Sequence, residues 1–238
     1  DCVVVTASQD PVEVQVVRFG TDGAVTPITE GAAVHNALIG GPTTVITRSA
    51  VDAVGTTVMV HREGTEPAPI NVVSETPPHQ SVIRLMKAGK HELRTAVLLP
   101  RDHQTGSAKL PVLMDPYGGP HAQRVVASAR AFLEAQWLAD QGFCVIVCDG
   151  RGTPARGHDF ERAVQNEFAS VTLDDQVDAL AAVAEAYPDD VDTSRVGITG
   201  WSFGGYLSAL AVLRRPDVFH AAVAVALVTE WRLYDTCY

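Results

Sequence analysis

Gly200, Trp201, Ser202, Phe203 and Gly204 set a serine between two glycines, each two residues away. An apolar run from Arg195 to Thr199 leads into this segment, and a helical pattern from Phe203 to Arg215 leads away from it. A serine hydroxyl at such a strand-to-helix corner is suited to acyl transfer. The turn is so sharp that side chains two residues before and after the serine would collide with the neighbouring strand and helix, which is why glycine is needed there. The same corner lifts Ser202 above the carboxyl edge of a sheet and aims the Phe203 N–H at the oxygen that gains negative charge. The letters alone would arise by chance in roughly one chain in ten of this length, so the flanking strand and helix carry the reading.

A second donor to that oxygen is expected from the loop after the third strand, here Asp115 to Pro120. Its glycines let the backbone come close, and Tyr117 brings a hydroxyl; the residue reads equally well as that donor or as an ordinary loop aromatic. Serine also needs a histidine base and a carboxylate to orient it, and both follow the serine in this arrangement. Only His220 follows Ser202. It starts the strand Ala221 to Ala226, which puts it roughly 20 Å from the carboxyl edge at about 3.3 Å per residue. Asp235 follows the right strand to serve as an acid in some hydrolases, but it is not assigned to a triad.

The elements that position these residues fall into two regions. From Asp1 to about residue 76 the sequence is a β-meander. Its runs are Val3 to Thr6, Val12 to Arg18, Ala24 to Thr29, Thr43 to Thr47, Thr56 to Val60 and Ile70 to Val73, with a tight hairpin at Thr21 to Gly23. That amounts to less than two blades of a four-stranded-blade propeller. From residue 77 the pattern changes to a hairpin (Val82 to Met86, Glu92 to Leu98) followed by strands alternating with helices. Strands are expected at Pro111 to Met114, Phe143 to Cys148, Arg195 to Thr199 and Ala221 to Ala226. Helices are expected from Val125 to Gln141, from Thr172 with Asp175 as a capping partner, and from Phe203 to Arg215. This alternation implies a mostly parallel sheet covered on both faces.

Bulk composition narrows the functional classes. The net charge is −10 and no Lys/Arg cluster exists, which argues against nucleic acid or an anionic membrane as partner. No apolar run reaches the roughly 20 residues of a membrane span. Cys144 and Cys148 lie on one strand about 13 Å apart, too far to bridge, and read as small buried apolar residues. The eight histidines lack ligand spacing, so no metal is expected. Gly150 to Ala155 fits a permissive dinucleotide fingerprint, but Pro154 and Gly157 break the helix it requires; no cofactor is expected, and Arg151 reads as an ion-pairing residue.

Taken in order and spacing, five segments resemble the dipeptidyl peptidase IV branch of the prolyl oligopeptidase family of serine peptidases. They are Tyr117 to Pro120, Asp149 to Gly152, Asp174 to Gln176, Gly200 to Tyr206 and Val228 to Tyr238. The resemblance is strong from about Leu110 to Tyr238 and loose before it. It implies an α/β-hydrolase fold, incomplete here, over residues 77–238, preceded by the last strands of a β-propeller over residues 1–76. It further implies that Tyr117 is an oxyanion donor and that Phe203, Val228, Trp231, Tyr234 and Tyr238 wall a proline-shaped pocket. The implied substrate is a peptide cut after proline or alanine, and the resemblance also admits a homodimer. On this view the chain is an internal piece of a longer protein, with the triad acid and base beyond Tyr238, and alone it is expected to be inactive. Two other readings stay open: an acylaminoacyl peptidase or esterase on the same fold, and an inactive propeller-hydrolase interaction protein. The compartment is left open.

Overall fold

The computed structural model describes residues 2–53, 55–78 and 80–234. The chain divides into two compact units, one of residues 1–81 with 126–133 and the other of residues 82–125 with 134–238. The sequence change expected near residue 76 thus lies a few residues before the division, and a short later segment joins the first unit.

The first unit contains two antiparallel sheets. One is three-stranded, in the order β1 (Cys2–Ala7), β2 (Gln15–Gly20), β3 (Val25–Pro27), and its last turn is the expected hairpin, with Gly23 at φ 83°. The other is four-stranded, in the order β4 (Val34–Gly40), β5 (Thr43–Ser49), β6 (Thr57–Arg62), β7 (Ala68–Pro69). β4 is not in the sequence reading, because His35, Asn36 and Ala37 are poor strand formers. Full pairing with β5, from Val34 with Ser49 to Gly40 with Thr43, imposes it. The strand expected at Ile70 to Val73 is instead the two-residue β7; Val73 is almost fully exposed, with no face to bury.

The second unit is built on a six-stranded sheet. Its strands are β8 (Ile83–Ala88), β9 (Leu93–Leu98), β10 (Leu110–Met114), β11 (Cys144–Asp149), β12 (Val191–Trp201) and β13 (Ala221–Val225), in the order β13-β12-β10-β11-β9-β8. β13, β12, β10 and β11 are mutually parallel, and β9 and β8 are antiparallel additions. Two helices, α3 (Phe168–Ala186) and α4 (Phe203–Arg214), cover one face. Leu173, Leu180, Val183, Leu207 and Ala211 from them pack on Val112, Met114, Cys144, Ile146, Val196 and Ile198. The alternate residues of β10, β12 and β13 face the other side. There Leu113, Thr199, Trp201, Val223 and Val225, with Leu138 of α1 (Leu133–Ala139), line an open cavity of about 730 Å³. This is the α/β-hydrolase arrangement, and the first unit supplies propeller strands. Among the described residues no helix is long and apolar enough to cross a membrane.

Two helix starts differ from the sequence reading. The expected helix from Val125 is a 3-10 turn, Ala129–Phe132, leading into α1; before it, the Ala127 N–H donates to the Val12 carbonyl at 2.6 Å, a tertiary bond that keeps this stretch extended. α3 begins before Thr172, at Phe168, because the Glu167 carboxylate accepts from the N–H groups of Ala169 (3.0 Å) and Ser170 (2.9 Å) and so caps the helix. Thr172, four residues in, turns its hydroxyl back to the Phe168 carbonyl. A short α2 (His158–Arg162) lies between β11 and α3. Burial holds the thiols of Cys144 and Cys148 protonated, pushing Cys144 up to about 12, in keeping with inert core packing.

Candidate active site

After β10 the chain runs through α1 to β11 on one side, whereas after β12, on the other side of β10, it runs through α4 to β13, so the connections diverge at the adjacent carboxyl ends of β10 and β12. Register sets what meets there. Met114 pairs with Ile198, so the loop after β10, with Tyr117, and the corner after β12, with Ser202, rise side by side.

Ser202 is half-buried and adopts φ 57°, ψ −113°, a conformation that costs a non-glycine residue on the order of 1–3 kcal/mol. The surroundings hold it in place. Its N–H donates to the Val225 carbonyl at the end of β13 (2.9 Å), and its carbonyl accepts from the Tyr206 N–H (2.9 Å) in the first turn of α4. The glycines behave as the motif requires, with one refinement. A Cβ at Gly200 would run into the Gly204 backbone, whereas one at Gly204 would strike the Pro116 carbonyl in the loop after β10. One at Gly205 would sit 2.5 Å from the Val225 carbonyl. α4 therefore touches both neighbouring segments through main-chain atoms. As the first residue of α4, Phe203 has an N–H with no intrahelical acceptor, available above the serine.

Around this corner lies a cage of aromatic rings. Phe203 is only 1% exposed. Its ring centroid is 6.0 Å from Tyr117, 5.9 Å from Phe168, 5.6 Å from Tyr206 and 5.8 Å from Trp231. Trp231 opens a 3-10 turn, Trp231–Leu233, whose cap is the Glu230 carboxylate accepting from the Arg232 N–H; Tyr234 follows with its ring 6.0 Å from Trp231. Val228 is half-buried in the segment between β13 and that turn. Tyr238 and Asp235 lie outside the described residues. Sequence reading missed Phe168 and Tyr206 as members of the cage. Tyr206 was accessible, one helical turn after Phe203; Phe168 was not, because no local spacing ties it to the serine.

A buried polar layer supports the loops. Asp175 of α3, fully buried, pairs with Arg151 through Nη2 (2.7 Å) and Nε (3.0 Å) and also takes the Arg151 N–H (2.6 Å). That confirms Arg151 as an ion-pairing residue. The Asp175 carboxylate also lies 3.1 Å from where a Gly150 side chain would begin, so this loop packs closely on α3. Asp149 accepts from the N–H groups of Arg124 and Val125, yet burial outweighs those bonds and raises its carboxyl to about 6. The Arg124 guanidinium bonds the carbonyl (2.6 Å) and carboxylate (2.9 Å) of Asp115. Burial pulls its pKa down, but the Asp115 bond and the charges of Asp115, Asp149 and Glu134 outweigh that and raise it. His220 is at the opposite end of the sheet. It pairs with Val196, accepting its N–H at Nδ1 (3.1 Å), and among the described residues no histidine bonds the Ser202 hydroxyl.

Residues 129–238 match the family described as the prolyl oligopeptidase family. The chain is similar to mouse (Mus musculus) dipeptidyl peptidase 8, with 43% identity over 141 residues, covering 58% of this chain and 16% of that protein. It is 31% identical over 160 residues to mouse prolyl endopeptidase FAP, covering 66% of this chain and 20% of that protein. The crystal structure of Porphyromonas gingivalis dipeptidyl peptidase 4 superposes with a TM-score of 0.83 at 29% identity, over 98% of this chain and 34% of that one. The prolyl oligopeptidase likeness thus lies with the dipeptidyl peptidase IV branch, and the chain spans a fifth or less of these curated relatives.

Proposed function

We propose that the intact protein is a serine peptidase that cleaves peptides after proline or alanine through an acyl-enzyme on Ser202. The observation that carries this reading is the strained Ser202 backbone, φ 57°, held between β12 and α4 with the Phe203 N–H beside it. Strain of this kind persists only where the surroundings hold it, and it clusters at active sites. In the reaction, Ser202 Oγ bonds to the substrate carbonyl carbon while its proton passes to a base, and the carbonyl oxygen becomes an oxyanion held by the Phe203 N–H and the Tyr117 hydroxyl. Collapse of that intermediate breaks the C–N bond, and the amine leaves with a proton; water then attacks the acyl-enzyme and restores the serine.

The substrate reading rests on the rings of Trp231 and Tyr234, on Val228, and on the aromatic backing of Phe203. Tyr238 belongs to the same proposed wall by resemblance. A compact pyrrolidine ring needs no hydrogen bond from such a lining, whereas a charged side chain would be desolvated without compensation. The test is kcat/KM for Xaa-Pro, Xaa-Ala and Xaa-Lys amides on the full-length enzyme, repeated with Tyr234→Ala. Proline should be preferred, alanine second, and opening the wall should erode that order. A preference for lysine, or a proline preference untouched by Tyr234→Ala, would defeat the substrate reading.

The base and its carboxylate are proposed to come from outside the described residues, since His220 is engaged at the far end of the sheet. The 238-residue chain expressed alone should therefore be inactive. It should also be poorly soluble, because Trp201 and Val223 are 67% and 59% exposed on the open sheet face. Turnover by that purified chain, abolished by Ser202→Ala, would show that the base lies within it.

A further inference from the structure

Phe203, by sequence a wall of the proposed pocket, is 1% exposed. A ring so enclosed offers a substrate almost no surface of its own. What it does is limit how far its neighbours can yield, and its own position depends on the rings behind it. Phe168 is the one that comes from a separate helix. Its ring meets Phe203 edge-on (5.9 Å, 87°) and lies 5.3 Å from Trp231, so it touches two proposed pocket elements at once. Edge-to-face aromatic pairs hold a defined geometry in addition to burying area.

The placement of Phe168 is itself fixed. It is the first residue of α3, held there by the Glu167 cap, and seven residues later the same helix is anchored through Asp175 to Arg151. The ring therefore stands on a rigid element and not on a free loop. In contrast, Trp231 sits in a three-residue 3-10 turn with little structure of its own. The firm side of this contact is α3, and the yielding side is the segment that carries Trp231.

We infer that Phe168 sets the depth of the acyl-side pocket by bracing Phe203 and Trp231, and so acts as a positioning residue for substrate size. The inference rests on the proposed peptidase reading. It goes beyond it in naming a residue that need not touch substrate and in predicting size, not proline, as the quantity it controls. Truncating Phe168 leaves space into which Trp231 or Phe203 can retreat. Bulkier acyl-side residues then fit, while small ones lose some of their complementarity.

The experiment measures kcat and KM on the full-length enzyme for Xaa-Pro, Xaa-Ala, Xaa-Leu and Xaa-Met amides, in wild type, Phe168→Ala and Phe168→Leu. Phe168→Ala should shift the Leu-to-Ala ratio of kcat/KM by about ten-fold or more toward leucine, the scale at which a pocket discriminates by one or two methylenes. Phe168→Leu, which restores most of the bulk, should return the ratio most of the way. Circular dichroism confirms that each variant is folded, and the ratio cancels any loss of active enzyme. Equal loss on every substrate, with the ratio unmoved, would overturn the inference and reduce Phe168 to ordinary core packing. If wild type shows no preference for proline yet the ratio still shifts, the substrate reading fails and the bracing role stands.

Discussion

Ser202→Ala is expected to lower kcat on the order of a million-fold, since loss of the nucleophile removes the whole covalent route and leaves only binding and oxyanion stabilisation. The variant is clean in structural terms. Alanine keeps a Cβ at φ 57°, so the corner retains its strain and its bonds to Val225 and Tyr206, which involve only main-chain atoms. Thermal unfolding should consequently stay close to wild type while turnover vanishes. Fluorophosphonate labelling of the full-length protein followed by peptide mapping gives the complementary result, with phosphorus on Ser202 in wild type and none in the variant. Label found on another residue, with Ser202 unmodified, would remove the basis for the proposed chemistry.

Tyr117→Phe should lower kcat by about 10²- to 10³-fold with little change in KM, the usual effect of deleting one oxyanion donor that acts only in the transition state. The substitution is informative because the tyrosine ring has a packing role as well. It lies 6.0 Å from Phe203 at a tilt of 37°, and phenylalanine preserves that contact while deleting only the hydroxyl. A fall in kcat then reports the missing donor and not a collapsed cage. The measurement needs an amide substrate whose acylation is slow, so that chemistry limits the rate. Under that condition an unchanged kcat means that the hydroxyl plays no part.

The corner was legible in the sequence because its cause is local. Sharp turning, glycine at Gly200, and a strand and helix on either side are contained within about twenty residues and decided by short-range sterics, whereas Gly204 answers to the Pro116 carbonyl of a distant loop. The existence of the parallel strands was legible in the same local way, since their apolar runs are separated by helices; their order in the sheet, β13-β12-β10-β11, is set by pairing between distant segments. Features set by distant partners were not legible. β4 exists because β5 pairs with it along its whole length, in spite of His35 and Asn36. The start of α3 was hidden because glutamate is an unusual N-cap, while Thr172 and Asp175 offered a more familiar signature one turn further on. Val125 to Ala127 has a helical pattern that a tertiary hydrogen bond overrides. In the cage, the segment from Val228 to Tyr234 could be read from its motif, but Phe168 joins it only through folding of the sheet and helix between them.

The contact of Gly204 with the Pro116 carbonyl has a consequence for how such a site ages under mutation. At this point the two segments that would share the charged oxygen meet through main-chain atoms. Here the spacing is set by the backbone for as long as the glycine is kept. The cage beside them is different, since every ring in it is a replaceable side chain. A lineage carrying this arrangement is free to drift in what it accepts while inheriting its means of holding negative charge nearly unchanged, and only insertions or loss of those glycines would break that inheritance.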